Sequence, residues 1–388
     1  MANQYSPSKM SRVISCSGSP KLIEQVNEYV PSTYARAGND AHNLGAVCLE
    51  TGQEPSEYLG KVMSYKDRSG DWSFKVEQSI VDAVTVYTDT VRALMEHDST
   101  LLVEYNVKGK TFTPEDNMYI DAAIINRRLN SLKIIDYKNG VSPVNPEGNI
   151  QLTMYALALM EDYDIAPTEL ELVIVQPNDY TTFKPVKSWA VQFPSVWAKN
   201  WLRAIRAAIS LAESSEAFYN AGEHCHFCPA LHICPEVKGI IKTFKESIEA
   251  MSNKYDIPAE ELAELLNMAP VVESYIKHIR GLGLSRAQAG ADIPGYYLAR
   301  TSRKARSWRD TEEVKQYLKQ FFKVAEIEAK ELLSPAKTEA LIKRSKKTGI
   351  DIKPFIEISI TEKETLKQGD NPGKKVETAA DKMAKNLQ

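Results

Sequence analysis

The sequence predicts an α/β chain with a mixed central sheet flanked by helices and a C-terminal α+β extension. Three observations carry this. Short apolar, β-branched runs stand at 101–107, 118–125, 131–138 and 169–176, each bounded by polar or turn-forming residues. Longer segments with helical spacing of apolar residues surround them, at roughly 73–98, 147–163 and 193–219. A chain of 388 residues, 43% hydrophobic, can bury a substantial core and has the length of two domains, or of one with extensions.

Taken in order, Ala41–Glu50 reads as a helix carrying His42 and Cys48. Leu101–Val107 is a strand with Glu104 in its middle. Glu104 reads equally well as a metal-site contributor and as a surface or paired residue. Met118–Ile125 and Ser131–Lys138 form a hairpin through the polar turn Asn126-Arg-Arg-Leu-Asn130, and Asn139-Gly140 ends the second strand with a strong turn signal. Glu169–Gln176 is a further strand, and another is expected at Ser188–Phe193. In the helix that follows, Trp197, Trp201, Ile205 and Ile209 recur every four residues, as a core stripe does. Beyond Pro235 the character changes. Lys242–Arg280 reads as helical, with Pro258-Ala-Glu-Glu as a start. Tyr296–Arg300 reads as a strand, and Asp310-Thr-Glu-Glu opens a helix through Phe321 with N-cap chemistry. Residues 361–388 are rich in Lys, Glu, Gly and Asn, with few large apolar side chains, so a disordered tail is expected.

The chemistry concentrates between 121 and 155. Asp121 is flanked by apolar residues on its strand, and Asp136 follows Ile134-Ile135 on the next. A buried carboxylate is expensive unless it is paired or binds a metal. The two-residue period of a strand puts Asp136 and Lys138 on one face and Tyr137 on the other. Two carboxylates and a main-chain carbonyl, that of Tyr137, suit Mg2+ or Mn2+, hard ions that prefer oxygen. Lys138 would offset charge on a phosphate, and the helix that follows carries a polar pair, Gln151 and Tyr155, one turn apart. Taken alone, Asp-x-Lys reads more readily as a surface ion pair worth about 0–1 kcal/mol; Asp121 on the preceding strand and the Gln-x3-Tyr helix after it reverse that balance.

The five cysteines add a second signal. Cys225, Cys228 and Cys234 form a C-x2-C-x5-C cluster; Cys16 stands far upstream and Cys48 reads as a small buried hydrophobe. With no apolar signal segment and no run approaching the roughly 20 residues of a membrane span, a cytoplasmic, reducing setting is expected. There, clustered cysteines read as metal ligands rather than disulfides. Three thiolates and Cys16 would complete a [4Fe-4S] site. Zinc bound by three cysteines and His224, His226 or His232 is the alternative.

These residues resemble the PD-(D/E)XK (restriction-endonuclease-like) nuclease core in its RecB-like branch. Asp121, then Asp136-Tyr137-Lys138, then Gln151-x3-Tyr155 follow the order of that family's motifs, and His42 matches an early-helix histidine ligand. The bracketing of that core by Cys16 and Cys225, Cys228 and Cys234 is similar to iron–sulfur members of the AddB type and of CRISPR adaptation nucleases, and Cys16-Ser-Gly-Ser with the Gly38-to-His42 segment resembles a phage and prophage protein family. The resemblance covers roughly residues 11–240. It implies Asp121, Asp136 and His42 as metal ligands, Lys138 as the catalytic lysine, and Gln151 and Tyr155 as supporting residues. It implies a metal-dependent exodeoxyribonuclease for phage or prophage DNA recombination, repair or replication, in the bacterial host cytoplasm if phage-encoded. DNA with a single-stranded region or free end would be its substrate, and a phage recombination protein or helicase its companion. The rival expectation is a DNA-binding or iron–sulfur structural subunit of a larger complex, without turnover.

Residues 241–360 would then be an accessory region and 361–388 the tail. The net charge of −3 excludes a uniformly basic nucleic-acid binder and demands a local positive groove. Arg127, Arg128, Lys133, Lys138 and Lys184 are expected near the site. A second set, Arg300, Arg303, Lys304, Arg306 and Arg309 around Trp308, suits single-stranded nucleic acid, whose bases stack on rings, but reads at least as readily as a solvated face. Among nucleotide-binding signatures neither a Walker motif nor a helicase motif is present, so an ATP-driven motor would be another chain.

Overall fold

A five-stranded mixed sheet organises the first of two compact units, residues 1–276 and 277–388. The structure, a computed structural model, describes residues 4–26, 33–67, 70–107, 111–112, 118–251, 257–328, 332–345 and 347–369. The chain opens with α1 (Pro7–Ser15), whose proline sits in the first turn, where its missing N–H costs nothing. Then follow α2 (Ser19–Ile23) and α3 (Thr33–Thr51). An antiparallel hairpin of β1 (Val62–Asp67) and β2 (Gly70–Lys75) precedes α4 (Gln78–Leu94).

The main sheet is built from β3 (Thr100–Val107), β4 (Met118–Asn126), β5 (Ser131–Tyr137), β6 (Glu169–Val175) and β7 (Val186–Ala190), in that order. Only β5 and β6 run parallel, because α5 (Ile150–Asp162) makes the crossover between them. The other pairs are antiparallel. Then come α6 (Pro194–Glu213), α7 (Pro235–Met251) and α8 (Ala259–Gln288).

Each face of the sheet buries its own core. Ile134 on β5 and Leu172 on β6 pack with Met10 of α1, Leu152 to Leu159 of α5, and Ile205 and Ile209 of α6. Ile135, Tyr137 and Val173 pack on the opposite face with Leu44 and Cys48 of α3 and Val84, Tyr87 and Val91 of α4. A sheet buried on both faces explains why its inner strands read as near-continuous apolar runs. The tryptophan–isoleucine stripe of α6 packs as its spacing predicts, and Cys48 is a buried member of the second core.

Two local expectations need correction. The helix expected over 73–98 begins only at Gln78, because 62–75 form the β1–β2 hairpin. Its signal was the alternation of Met63, Tyr65, Trp72 and Phe74 with polar residues, a period too short to stand out beside α4. The strand expected at 188–193 is Val186–Ala190, since Val186 pairs with Val175 and Phe193 leaves the ladder in the left-handed region, φ 52°, to start α6.

In the second unit, β8 (Tyr296–Trp308) pairs antiparallel with β9 (Ile356–Gln368) as one long ribbon. Between them lie α9 (Thr311–Leu318), α10 (Val324–Ile327) and α11 (Pro335–Ser345). Val314, Leu318, Phe322, Ile327, Leu341 and Ile356 form their core. Asp310 caps α9 as its sequence predicts, accepting from the N–H groups of Glu312 and Glu313. The strand β9 reaches Gln368, into the stretch expected to be disordered, because a partner strand satisfies its backbone whatever its side chains. Residues 370–388 of that tail lie outside the described residues.

Candidate metal centre

Three carboxylates stand opposite one another across β3, β4 and β5. The β3–β4 register pairs Val103 with Ala122 and Tyr105 with Ile120, which sets Glu104 against Asp121. The β4–β5 ladder ends at Ala122 and Ile135, one step before Asp121 and Asp136 would meet. Both ladders therefore open at the carboxylates. Glu104 adopts φ 42°, a left-handed conformation costing a non-glycine residue roughly 1–2 kcal/mol. The facing of side chains also changes there: Met118 and Ile120 share one core with Ala123 and Ile125, whereas Ala122 and Ile124 turn to the other. Asp121 replaces the lost ladder bond with its own side chain, Oδ2 accepting from the Tyr137 N–H at 2.8 Å. Mutual repulsion of carboxylates in one row gives a physical reason for the opening.

His42 reaches this row from α3. Its Nδ1 lies 3.5 Å from Asp121 Oδ1 and 3.9 Å from Glu104 Oε1. Its ring stands edge-on to Tyr137, centroids 5.2 Å apart. Ligands about 2.1 Å from an octahedral ion stand about 3 Å apart when adjacent and about 4.2 Å when opposite. The distances from His42 to Asp121 and to Glu104 lie within that range, and the ligand atoms of all three residues fall within 4.8 Å of one another. Burial drives the electrostatics. It raises Glu104 to about 7, helped by the charge of Asp121 and opposed by His42. It raises Asp136 to about 6, opposed by Lys138 and reinforced by Asp121. The Asp136 oxygens are fully buried and accept no well-aligned hydrogen bond; Oδ2 lies 2.7 Å from Lys138 Nζ. A buried carboxylate so poorly satisfied fits a cation ligand, and a donor set of oxygens with one imidazole suits Mn2+ as well as Mg2+.

A polar relay leads away from Asp136. Lys138 Nζ donates to Gln151 Oε1 at 2.9 Å, and Gln151 Nε2 donates to the Tyr155 hydroxyl at 3.0 Å. Gln151 and Tyr155 lie on consecutive turns of α5, which Asn149 caps by accepting from the Leu152 N–H. Burial and the charges of Asp121 and Asp136 push the Tyr155 hydroxyl well up, so it stays protonated. As predicted, Lys138 faces α5 while the Tyr137 side chain packs in the opposite core.

Not every residue expected near this site is there. Arg127, Arg128 and Lys133 lie at the other end of β5, where Lys133 pairs with Glu96 and Arg128 with Asp98. Instead, two residues that the sequence did not single out brace the rim. Gln176, immediately after β6, donates to the carbonyls of Gly140 and Ser142 and accepts from the Val144 N–H, holding the loop that follows Lys138. Asp179 accepts from the N–H groups of Thr181 and Thr182 and lies 2.6 Å from Lys187 Nζ, which holds its carboxyl well below the usual range. The only hint in the sequence was a polar residue placed directly after a buried strand.

The cysteines lie around a second seam. Residues 15–18 run beside 218–220: the Gly18 N–H donates to the Phe218 carbonyl, and the Asn220 side chain donates to the Ser15 carbonyl. The Asn220 and Gly222 N–H groups point at the sulfurs of Cys16 and Cys225, at 3.5 and 3.4 Å. A Cβ on Gly18 would meet the Tyr219 ring at 2.7 Å, so the close approach depends on glycine. Cys225, Cys228 and Cys234 pack together with Leu22, Leu231 and Val271. Burial raises the thiols of Cys225 and Cys228, the latter to about 11. Thiolates on one zinc would stand about 3.8 Å apart. Among the described residues, His42, Glu104 and Asp121 are the one group of histidine, cysteine or carboxylate ligand atoms within 4.8 Å of one another, so the cysteines are not gathered to that spacing. His224 Nε2 lies 2.8 Å from the Asn220 carbonyl oxygen.

In the second unit, Arg306 pairs with Glu339 and Arg300 with Glu364, so these members of the basic set are partly neutralised. The side chains of Arg303 and Lys304 lie outside the described residues. No helix among the described residues is long and apolar enough to cross a membrane. A family model described as "Protein of unknown function (DUF2800)" matches residues 3–371. No curated protein matches the chain.

Proposed function

We propose that this chain, which belongs to the DUF2800 family, is a metal-dependent nuclease of the PD-(D/E)XK type that hydrolyses DNA phosphodiester bonds. One observation carries the reading: the row of Glu104, Asp121 and Asp136 across three strands, with His42 at one side and Lys138 at the other. Asp121, Asp136, His42 and Glu104 would hold a divalent ion. When bound, such an ion lowers the pKa of water and neutralises the scissile phosphate. The residues do the rest. Asp121 is held by the Tyr137 N–H, so its free oxygen is oriented toward His42. Lys138 stays beside Asp136 and is fixed at a second point by Gln151, which places its ammonium where charge develops on the phosphate. Tyr155 orients the Gln151 amide and so the lysine.

Action from free ends and the phage or prophage setting rest on the family resemblance and belong to the same proposal. So does a [4Fe-4S] cluster on Cys16, Cys225, Cys228 and Cys234. Its support is the pairing of residues 15–18 with 218–220 and the N–H groups directed at two of the sulfurs, an arrangement suited to stabilising thiolates. The cluster would act as a staple, closing a loop of some two hundred residues.

The test is digestion of end-labelled linear and covalently closed DNA in Mg2+ and in Mn2+. Hydrolysis of linear DNA is expected. Lys138→Ala should lose about 100–1000-fold in rate and Asp136→Ala at least as much. Full activity in either variant, or tight binding with no cleavage in Mn2+, would overturn the hydrolytic reading.

A further inference from the structure

The loop between β6 and β7 leaves two aromatic rings in solvent at the catalytic end of the sheet. Tyr180 is 65% exposed and Phe183 79%. Burying such a ring is ordinarily favourable, so two exposed together on one short loop invite a ligand. The loop is not loose. Asp179 anchors it through Thr181, Thr182 and Lys187, and Lys187 also donates to the Val144 carbonyl. Asn178 ties it to Asn139, the residue after Lys138, through the Asn139 carbonyl and side-chain oxygens. The Tyr180 hydroxyl in turn donates to Asn178. Phe183 is held at φ 54°, a left-handed conformation that a phenylalanine adopts only when its surroundings impose it. The rings are therefore presented, and Tyr180 is linked to the backbone beside Lys138. Exposed Lys184 follows directly, a cation beside two π faces.

We propose that Tyr180 and Phe183 form a stacking platform for unpaired nucleobases of a strand entering or leaving the metal site, with Lys184 contacting its phosphate. A single strand is the occupant that uses every part: bases stack on rings irrespective of sequence, and the backbone takes the charge. The loop leaves β6 at the same end of the sheet as Asp136 and Lys138, since parallel β5 and β6 pair Asp136 with Ile174 and Tyr137 with Val175. This rests on the nuclease reading above for what the neighbouring site does, but not for whether the rings bind.

The experiment is fluorescence anisotropy of the full chain with a fluorescein-labelled oligothymidylate in EDTA, so that no hydrolysis intervenes. A blunt duplex serves as comparison, and cleavage is measured separately in Mn2+. The double variant Tyr180→Ala/Phe183→Ala should bind the oligonucleotide at least about tenfold more weakly. Tyr180→Phe and Phe183→Trp should bind as the parent does. Unchanged melting of the double variant checks the fold. Unchanged affinity in the double variant overturns the platform, as does failure of the parent chain to bind the oligonucleotide at all, which would leave the rings to a protein partner. Ring-dependent binding with no cleavage would keep the platform and sink the hydrolytic reading. Cleavage with ring-independent binding would do the reverse.

Discussion

Glu104 shows how a single side chain can change standing once its neighbours are known. In the sequence it is a glutamate in a strand. In the fold it faces Asp121 across the ladder, adopts a left-handed backbone and lies beside His42. Its carboxyl is raised to about 7 and that of Asp136 to about 6, both chiefly by burial. Without an ion, a raised folded pKa means the native state binds more protons than the unfolded chain. The two groups thus favour the fold below the ordinary carboxylate range, and that contribution is lost as pH rises through about 6 and 7. A divalent ion reverses the preference by competing with those protons. The melting rise produced by Mn2+ should therefore be larger at about pH 8 than at about pH 5.5. Glu104→Gln should weaken Mn2+ binding at pH 8, measured by titration calorimetry, while raising the melting temperature of the metal-free protein. Equal Mn2+ affinity in the variant would remove Glu104 from the ligand set.

At the scale of elements, the site depends on where β4 and β5 part and on what braces the loop after β5. Gln176 makes three hydrogen bonds to the backbone of 140–144 and is almost fully buried. Gln176→Ala should cost roughly 1–3 kcal/mol in denaturant unfolding, because it strands buried backbone groups. It should lower the cleavage rate more than Lys184→Ala changes it. Gln151→Ala should lower the rate about 10–100-fold by freeing Lys138, with Mn2+ affinity nearly unchanged. The central elements were legible because a sheet covered on both faces writes long apolar runs, and Asp121 and Asp136 interrupt those runs visibly. The β1–β2 hairpin was not, since it is short and its apolar residues are only half-buried. Arg127, Arg128 and Lys133 are near Asp136 in sequence but not in space. A strand rises about 3.3 Å per residue, so a turn at one end of β5 is remote from the other.

Across the molecule, the first unit ties its opening segment to one some two hundred residues later, with residues 15–18 lying against 218–220. Cys225→Ser should lower the melting temperature of anaerobically purified protein and reduce bound iron and acid-labile sulfide together. Stoichiometric zinc with no sulfide would refute the cluster. Because the two units have separate cores, calorimetry of the whole chain should resolve more than one transition.

The sequence by itself determined the α/β class, the places of the main strands along the chain, the capping of α9, and Asp121, Asp136, Lys138, Gln151 and Tyr155 as polar residues set in or beside apolar runs. These follow from periodicity and from polar residues set in apolar runs, which are local properties of a chain. Only the tertiary structure decided that Glu104 joins His42 and Asp121, that Gln176 and Asp179 brace the rim, and that Tyr180 and Phe183 stand exposed beside it. Each of these is a contact or an exposure set by strand register, and register depends on the pairing of distant segments rather than on any one of them.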